Sequence, residues 1–475
     1  MKKKIIIISG VLFINIYLLF SFISKDNKIE DKKEKYNEVS KVEKILSKPD
    51  GIQAYTLNNE TTNITYEDLI SYYSIDKINC KNGTVATYNK ETNNITLSNI
   101  HIPDYCTMNF TDKTLYSHLM KDNSTIKTRS DFSNVYAEVN TGTIFKGTES
   151  IENESASNVY YFSGNAQNNW VKFGKWQSDK ISVVGSNGGH LFKEYNSIEE
   201  CENATSYNKN CETVTFANKG DDMYWRIIRT NSDGSIRLLY SGTSTDTTIG
   251  YIGISPFNTN YNSPKDVGYM YGNSDSTFIE ARANENNSAV KTYIDNWYEN
   301  NLTSYTNYLS SKAVYCNDRE IESGTYNTTG ELFQYVQLRM KQYTPTYNCT
   351  NSKDTFSVNN SEAKLNYPIA LMTIDEVMFS GGTYLIDGAY NYLYYNSNNE
   401  SITTTKYWWL MTPSYYNNYT YVGSYLQDTY GQLRDARSDR GYAVRPVTSL
   451  KSCVQWKSGN GSATSPYEIV ENGGC

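Results

Sequence analysis

The chain has 475 residues, a formal net charge of -7 and a pI of about 5.3. That length exceeds one ordinary domain and leaves ample material for a core. Lys and Arg are scattered rather than clustered, which excludes the electrostatic footprint of a nucleic-acid binder.

The first element is apolar. Nineteen residues without a charge, Ile5 to Ile23, follow Lys2, Lys3 and Lys4. As a helix they would rise roughly 28 Å, close to the ~30 Å hydrocarbon core of a bilayer. The spacing predicts a transmembrane helix over 1–23 with the lysines cytoplasmic and everything after Ile23 outside. A cleaved signal peptide and a buried core helix are the alternatives, although no small-x-small cleavage site follows the run. Residues 24–50 mix eight lysines with seven acids and predict a solvated stalk, since they cannot bury enough apolar surface to fold alone.

Residues 51–150 predict a small β module and linker. Alternation in "GTVATY" and "NITLSN", with Gly83 and the pair Asn93–Asn94 at turns, marks short strands. Cys80 and Cys106 would close the module. A polar stretch near 121–155 leads to the main domain, 151–450. There "MYWRIIRTNSDGSIRLLY" predicts a β-hairpin, because Asp233 and Gly234 supply the positive φ of a tight turn. Val290, Ile294, Trp297, Tyr298, Leu302 and Leu309 recur at helical spacing and predict one or two helices. "YPIALMTIDEVMFSGG" predicts a buried strand entering a short helix, capped by Thr373 with Glu376 three residues on and stopped at Gly381 and Gly382. Residues 451–475 predict a closing hairpin.

Eight cysteines fall into four sequential couples: Cys80 with Cys106, Cys201 with Cys211, Cys316 with Cys349, and Cys453 with Cys475. An even count in an exported chain favours disulfides between neighbours over free thiols. None has C-x-x-C spacing, so a metal site is the least favoured alternative.

The densest pattern is "YWWLMTPSYYNNYTYVGSYLQDTYG", with six tyrosines between Tyr415 and Tyr430. Tyr brings amphipathic contact area at low entropy cost, and Asn and Ser adapt their hydrogen bonds, a chemistry suited to recognition. The candidate ligand-binding residues are Trp409, Tyr415, Tyr416, Asn418, Tyr419, Tyr421, Tyr425, Asp428, Tyr430 and Arg434. Because the whole chain holds 44 tyrosines, ordinary surface strands or core packing are the competing readings. Trp408 and Trp409 are adjacent, so a strand directs them to opposite faces, one to the core and one toward the patch. Arg445 either anchors an internal carboxylate or faces the ligand.

The ordered series "WRIIRTNSDGSIRLLY", "VKTYIDNWYENNL" with "AVYCNDREI", "IALMTIDEV", "YWWLMTPS" and "GYAVRPVTSL" resembles a family of uncharacterised domains in surface proteins of low-GC Gram-positive bacteria. The resemblance covers roughly residues 158–450. It implies a C-type-lectin-like fold, of the branch shared with formylglycine-generating enzymes and retroelement variable proteins, with a solvent-facing patch at 413–440. Met411 stands where the family pattern has Arg, and no cysteine lies between Cys349 and Cys453 to serve oxidase chemistry.

The fold class expected is therefore α+β: a C-type-lectin-like main domain preceded by a small all-β module and an N-terminal transmembrane helix. The function expected is recognition of an extracellular protein or glycan at the cell membrane by a single-pass protein, or by a secreted one if the leader is cleaved. A structural envelope protein and an unrecognised enzyme are the alternatives. His190 in "SNGGHLF" has no nucleophile motif beside it, and carboxylate pairs such as Asp318 with Glu320, or Asp375 with Glu376, are too common to mark acid-base or calcium chemistry. No cofactor or metal is called for.

Overall fold

The computed structural model describes residues 114–475 apart from 153, 188–190, 206–209, 323–325, 334, 385–390, 405, 427–431 and 472–475. Of residues 1–113 it describes 11–14, 44–46, 53–57, 60–64, 73–89, 94–99, 101 and 106–112. The chain divides into two compact units, Met1–Lys121 and Asp122–Cys475.

In the first unit, strands Tyr73–Cys80 and Val11–Ile14 flank strand Cys106–Asp112 in an antiparallel sheet. Lys44–Leu46, Asn94–Ser98 and Val85–Asn89 form a second, and Gln53–Leu57 pairs with Glu60–Ile64. The transmembrane-helix expectation is corrected here. Within 5–23 only Val11–Ile14 is described, as a strand, and no described helix is long and apolar enough to cross a membrane. The physical reason lies in the run itself, where β-branched Ile and Val with Phe suit a strand as well as a helix.

The second unit introduces, in chain order, β1 (Thr125–Lys127), β2 (Thr143–Glu149), β3 (Ser157–Tyr161), β4 (Trp170–Lys175), β5 (Lys180–Ser186), β6 (Phe192–Tyr195) and β7 (Asn210–Ala217). Then come β8 (Asp222–Thr230), β9 (Ile236–Tyr240), β10 (Ile254–Pro256), α1 (Ala289–Asn301), β11 (Glu331–Phe333), α2 (Tyr335–Gln342), β12 (Ile369–Leu371) and α3 (Ile374–Phe379). The last elements are β13 (Trp408–Asn417), β14 (Thr420–Leu426), β15 (Gln432–Arg437), β16 (Gly441–Ala443), β17 (Pro446–Leu450), β18 (Trp456–Ser458) and β19 (Tyr467–Ile469).

Three sheets organise these strands. A ten-stranded sheet runs β12-β17-β9-β8-β3-β2-β1, with β4 joining β8 to β19 and β18 closing on β19. A six-stranded sheet runs β10-β16-β13-β14-β15, with β11 added to β13. A small sheet, β6-β5-β7, is stapled at its margin by the Cys201–Cys211 disulfide. The polar stretch near 121–155 supplies β1 and β2 to the large sheet.

Local signals explain the individual elements. The β8–β9 hairpin turns at Gly234, whose φ is 75°, while Asp233 accepts a hydrogen bond from the Ser235 amide at 2.9 Å. Helix α1 starts at Ser288, whose side chain accepts from the Lys291 amide, and buries Val290, Ile294, Trp297 and Tyr298 on one stripe. Thr373 and Glu376 form both halves of a capping box on α3. Gly381 ends that segment at φ 110°, where a Cβ would come within 2.2 Å of the Tyr136 carbonyl oxygen.

The fold-class expectation is also corrected. Among the described residues strand far outweighs helix, so the architecture is mainly β rather than α+β, and the C-type-lectin-like arrangement is set aside. The motifs behind that expectation are short local signals. They place a hairpin, a helix and a capped turn, but strand pairing across hundreds of residues decides the assembly.

Two couples of the cysteine framework are bonded as expected, Cys201 to Cys211 and Cys316 to Cys349. Cys80, opposite Cys106 in the strand register, and Cys453 are disulfide-bonded as well, and no described cysteine is free. Cys475 lies outside the described residues.

Candidate functional site

The Tyr-rich stretch is a β-hairpin. β13 and β14 pair antiparallel from Trp408 opposite Tyr425 to Tyr416 opposite Thr420, and the register shifts on either side of Pro413. Proline cannot donate to the ladder, so the irregularity falls where the sequence demands it. The connection is Asn418–Tyr419, with Asn418 at φ 65°, a conformation that Asn tolerates better than most residues.

This hairpin sorts the candidate residues. Asn418 is exposed, and Tyr419 is 44% exposed at the tip. Tyr415 and Arg434 are half-buried. Tyr421 and Tyr425 lie on β14, and of their side chains nothing is described; Asp428 and Tyr430 lie outside the described residues.

Two candidates belong to the scaffold. Trp409 is fully buried, donates its indole N–H to the Ser255 carbonyl at 2.8 Å and packs on Phe257 and Tyr442. Tyr416 is 3% exposed, and its hydroxyl donates to the carbonyls of Asn262 at 3.0 Å and Thr328 at 3.3 Å. Burial, with Asp275 and Asp266 nearby, pushes that phenol up from its ordinary value. Opposite faces of β13 do take the two tryptophans, but both faces are covered. Trp408 is fully buried beneath Arg445, whose guanidinium carbon sits 4.3 Å from the ring centroid.

Arg445 points inward, as the internal reading expected. It is completely buried and donates to the carbonyls of Tyr240, Gly250 and Leu393 and to the Ser241 hydroxyl. A charge stripped of water is stabilised here by carbonyl dipoles and an aromatic face.

The exposed tip gains partners that sequence reasoning missed. Tyr419 stacks on Tyr261 with centroids 5.8 Å apart and planes 26° from parallel. The Arg437 guanidinium lies 4.3 Å from the Tyr261 centroid and 5.6 Å from that of Tyr419. Asp439 holds Arg437 by two bonds, Nε to Oδ1 at 2.6 Å and Nη2 to Oδ2 at 2.8 Å, which fixes its plane. The loop carrying Tyr261 is tied down by Ser438, whose hydroxyl donates to the Asn260 carbonyl. The available signal was "FNTNYNSP" at 257–264, a second Asn/Tyr segment of the same chemistry.

The carboxylate pairs serve ion pairs. Glu376 meets Arg229 at 3.0 Å and Arg237 at 2.5 Å, and Arg229 also meets Glu149 at 2.8 Å, all nearly sealed from water. Arg339 bridges Asp375 and Asp318, and Arg282 bridges Glu320 and Asp354. Among the described residues no group of three or more His, Cys, Asp and Glu is placed to hold a metal ion. His190 lies outside the described residues. The chain matches no family model, no curated protein and no solved structure.

Proposed function

We propose that this is an exported surface protein that recognises an extracellular protein or glycan through the tip formed by Asn418, Tyr419, Tyr261 and Arg437. The observation that carries this reading is the stack of exposed Tyr419 on half-buried Tyr261, beside a guanidinium whose plane Asp439 fixes. Tyr and Arg are the residues that most often dominate interface energetics, and both are here held in place before a ligand arrives. Ordering the tip on binding then costs little. Export is supported by the disulfides, which persist in oxidising compartments. The role is binding rather than catalysis.

The test starts from arrays of extracellular proteins and glycans probed with the purified chain. Tyr419→Ser, Tyr261→Ser and Arg437→Ala are then titrated against whatever partner emerges. Each should weaken binding about 30-fold, the equivalent of ~2 kcal/mol at a hot spot. Unaltered affinity in all three would place the recognition site elsewhere. Removal of the chain from wall-stripped cells by external protease checks export separately.

A further inference from the structure

A cleft of about 320 Å3 opens between the β4–β5 connection and the solvent-facing edge of α1. Its aromatic wall is Trp176, Trp297 and Tyr293, and its polar wall is Asp179, Asn296 and Asn300. None of these belongs to the hairpin tip.

The walls are set by internal bonds. Trp297 is wedged edge-to-face against Trp176 at 5.5 Å and Tyr240 at 5.7 Å, which fixes its ring. The Tyr293 hydroxyl donates to Glu194 at 3.0 Å. Asn301 ties the β4–β5 connection to α1 by accepting from the Gln177 amide at 3.0 Å. Asp179 is oriented by the Lys219 amide at 2.7 Å. By contrast, Asn296 and Asn300 extend exposed amides from the helix edge.

One donor on the residues that line this cleft is unsatisfied. The indole N–H of Trp297 is buried and meets no acceptor among the described residues, whereas those of Trp176, Trp225 and Trp409 are all bonded. A buried donor without a partner is costly, and native proteins seldom keep one without a reason. The charge of the lining narrows the ligand. Among the described lining residues Lys180 is the one cation, and Glu194 pairs with it at 2.6 Å, so the lining is neutral to anionic and disfavours phosphate or sulfate groups.

We infer that this cleft binds a neutral saccharide of one or two rings. Its apolar C–H face would lie against the Tyr293 and Trp297 wall, its hydroxyls would exchange hydrogen bonds with Asp179, Asn296 and Asn300, and one oxygen would accept from the Trp297 indole. The volume matches the lower range of small-molecule pockets, where an aromatic lining with a few placed polar groups is the common pattern.

The test uses the full chain with glucose, galactose and N-acetylglucosamine as probes, followed by saturation-transfer NMR and by tryptophan fluorescence at millimolar sugar. At least one should give a saturable response. Trp297→Phe, which keeps most of the ring and removes the N–H, should weaken it about three- to ten-fold. The exposed double variant Asn296→Ala/Asn300→Ala should weaken it at least as much without altering thermal unfolding, and Tyr419→Ser should leave it unchanged. Failure of all three sugars to give a saturable response overturns the inference. So does undiminished binding in both the Trp297 and the double-amide variants.

Discussion

Replacing Glu376 by Gln removes one charge from the most enclosed ion cluster in the second unit while nearly preserving shape. The Glu376 side chain is 1% exposed and accepts from Arg229 Nε at 3.0 Å, Arg237 Nη1 at 2.5 Å and the Thr373 amide at 3.0 Å. Gln still closes a capping box, so the start of α3 survives. Arg229 retains Glu149, but Arg237 is left buried without its counter-ion. Removing one partner of a buried pair costs ~3–5 kcal/mol, against about 1 kcal/mol for losing the cap alone in Thr373→Ala. Urea unfolding followed by tryptophan fluorescence reads both variants on one scale, given unchanged m-values. The pH dependence adds a second check. Burial by itself would raise the Glu376 carboxyl, but Arg237 and then Arg229 outweigh it and hold the group below its ordinary 4.5. A depressed folded pKa contributes stability that is fully present above 4.5 and lost as pH falls through the folded value. The deficit of Glu376→Gln should therefore shrink in acid. A loss under about 1 kcal/mol at neutral pH, no larger than that of Thr373→Ala, would refute the argument that charge pairing holds this region.

The tip and its support should separate in thermal unfolding: Tyr419→Ser within ~0.5 kcal/mol of the parent, Tyr416→Ala costing ~3 kcal/mol or more for its lost packing and two hydroxyl bonds. Equal effects would mean that the surface and core assignments of the hairpin are wrong. Asp266, beneath the hairpin, is pushed up to about 6, chiefly by burial and further by Asp275, against an ordinary 3.8. Its proton therefore stabilises the fold below 3.8, and that contribution is lost as pH rises through about 6. Asp266→Asn should then match the parent near pH 4 and exceed it by roughly 3 kcal/mol at neutral pH, measured by denaturant titration at both values; parallel curves would discount the buried carboxyl. Removing the Cys201–Cys211 bridge as a double Ser variant should cost roughly 3 kcal/mol, and removing Cys316–Cys349 roughly 4 kcal/mol because its loop is longer, while reductant should leave each double variant less affected than the parent.

The sequence by itself determined the elements whose physics is local. "NSDGS" needs only its own glycine and aspartate to turn, Thr373 and Glu376 cap a helix three residues apart, and the stripe from Val290 to Tyr298 is written at helical spacing. The apolar run at 5–23 was ambiguous for the opposite reason, since β-branched residues satisfy two periodicities at once. Tertiary structure decided what depends on distant partners. Alternation placed Trp408 and Trp409 on opposite faces, but only the packing of Arg445 on one and of Phe257 with Tyr442 on the other made both of them core. Pairing of β17 between β9 and β12 joins strands far apart in sequence, and no short motif encodes which strands meet. The same holds for the tip. Tyr419 carries its exposure locally, but Tyr261 and Arg437 reach it from other segments, so the aromatic and cationic surface exists only once the six-stranded sheet has closed.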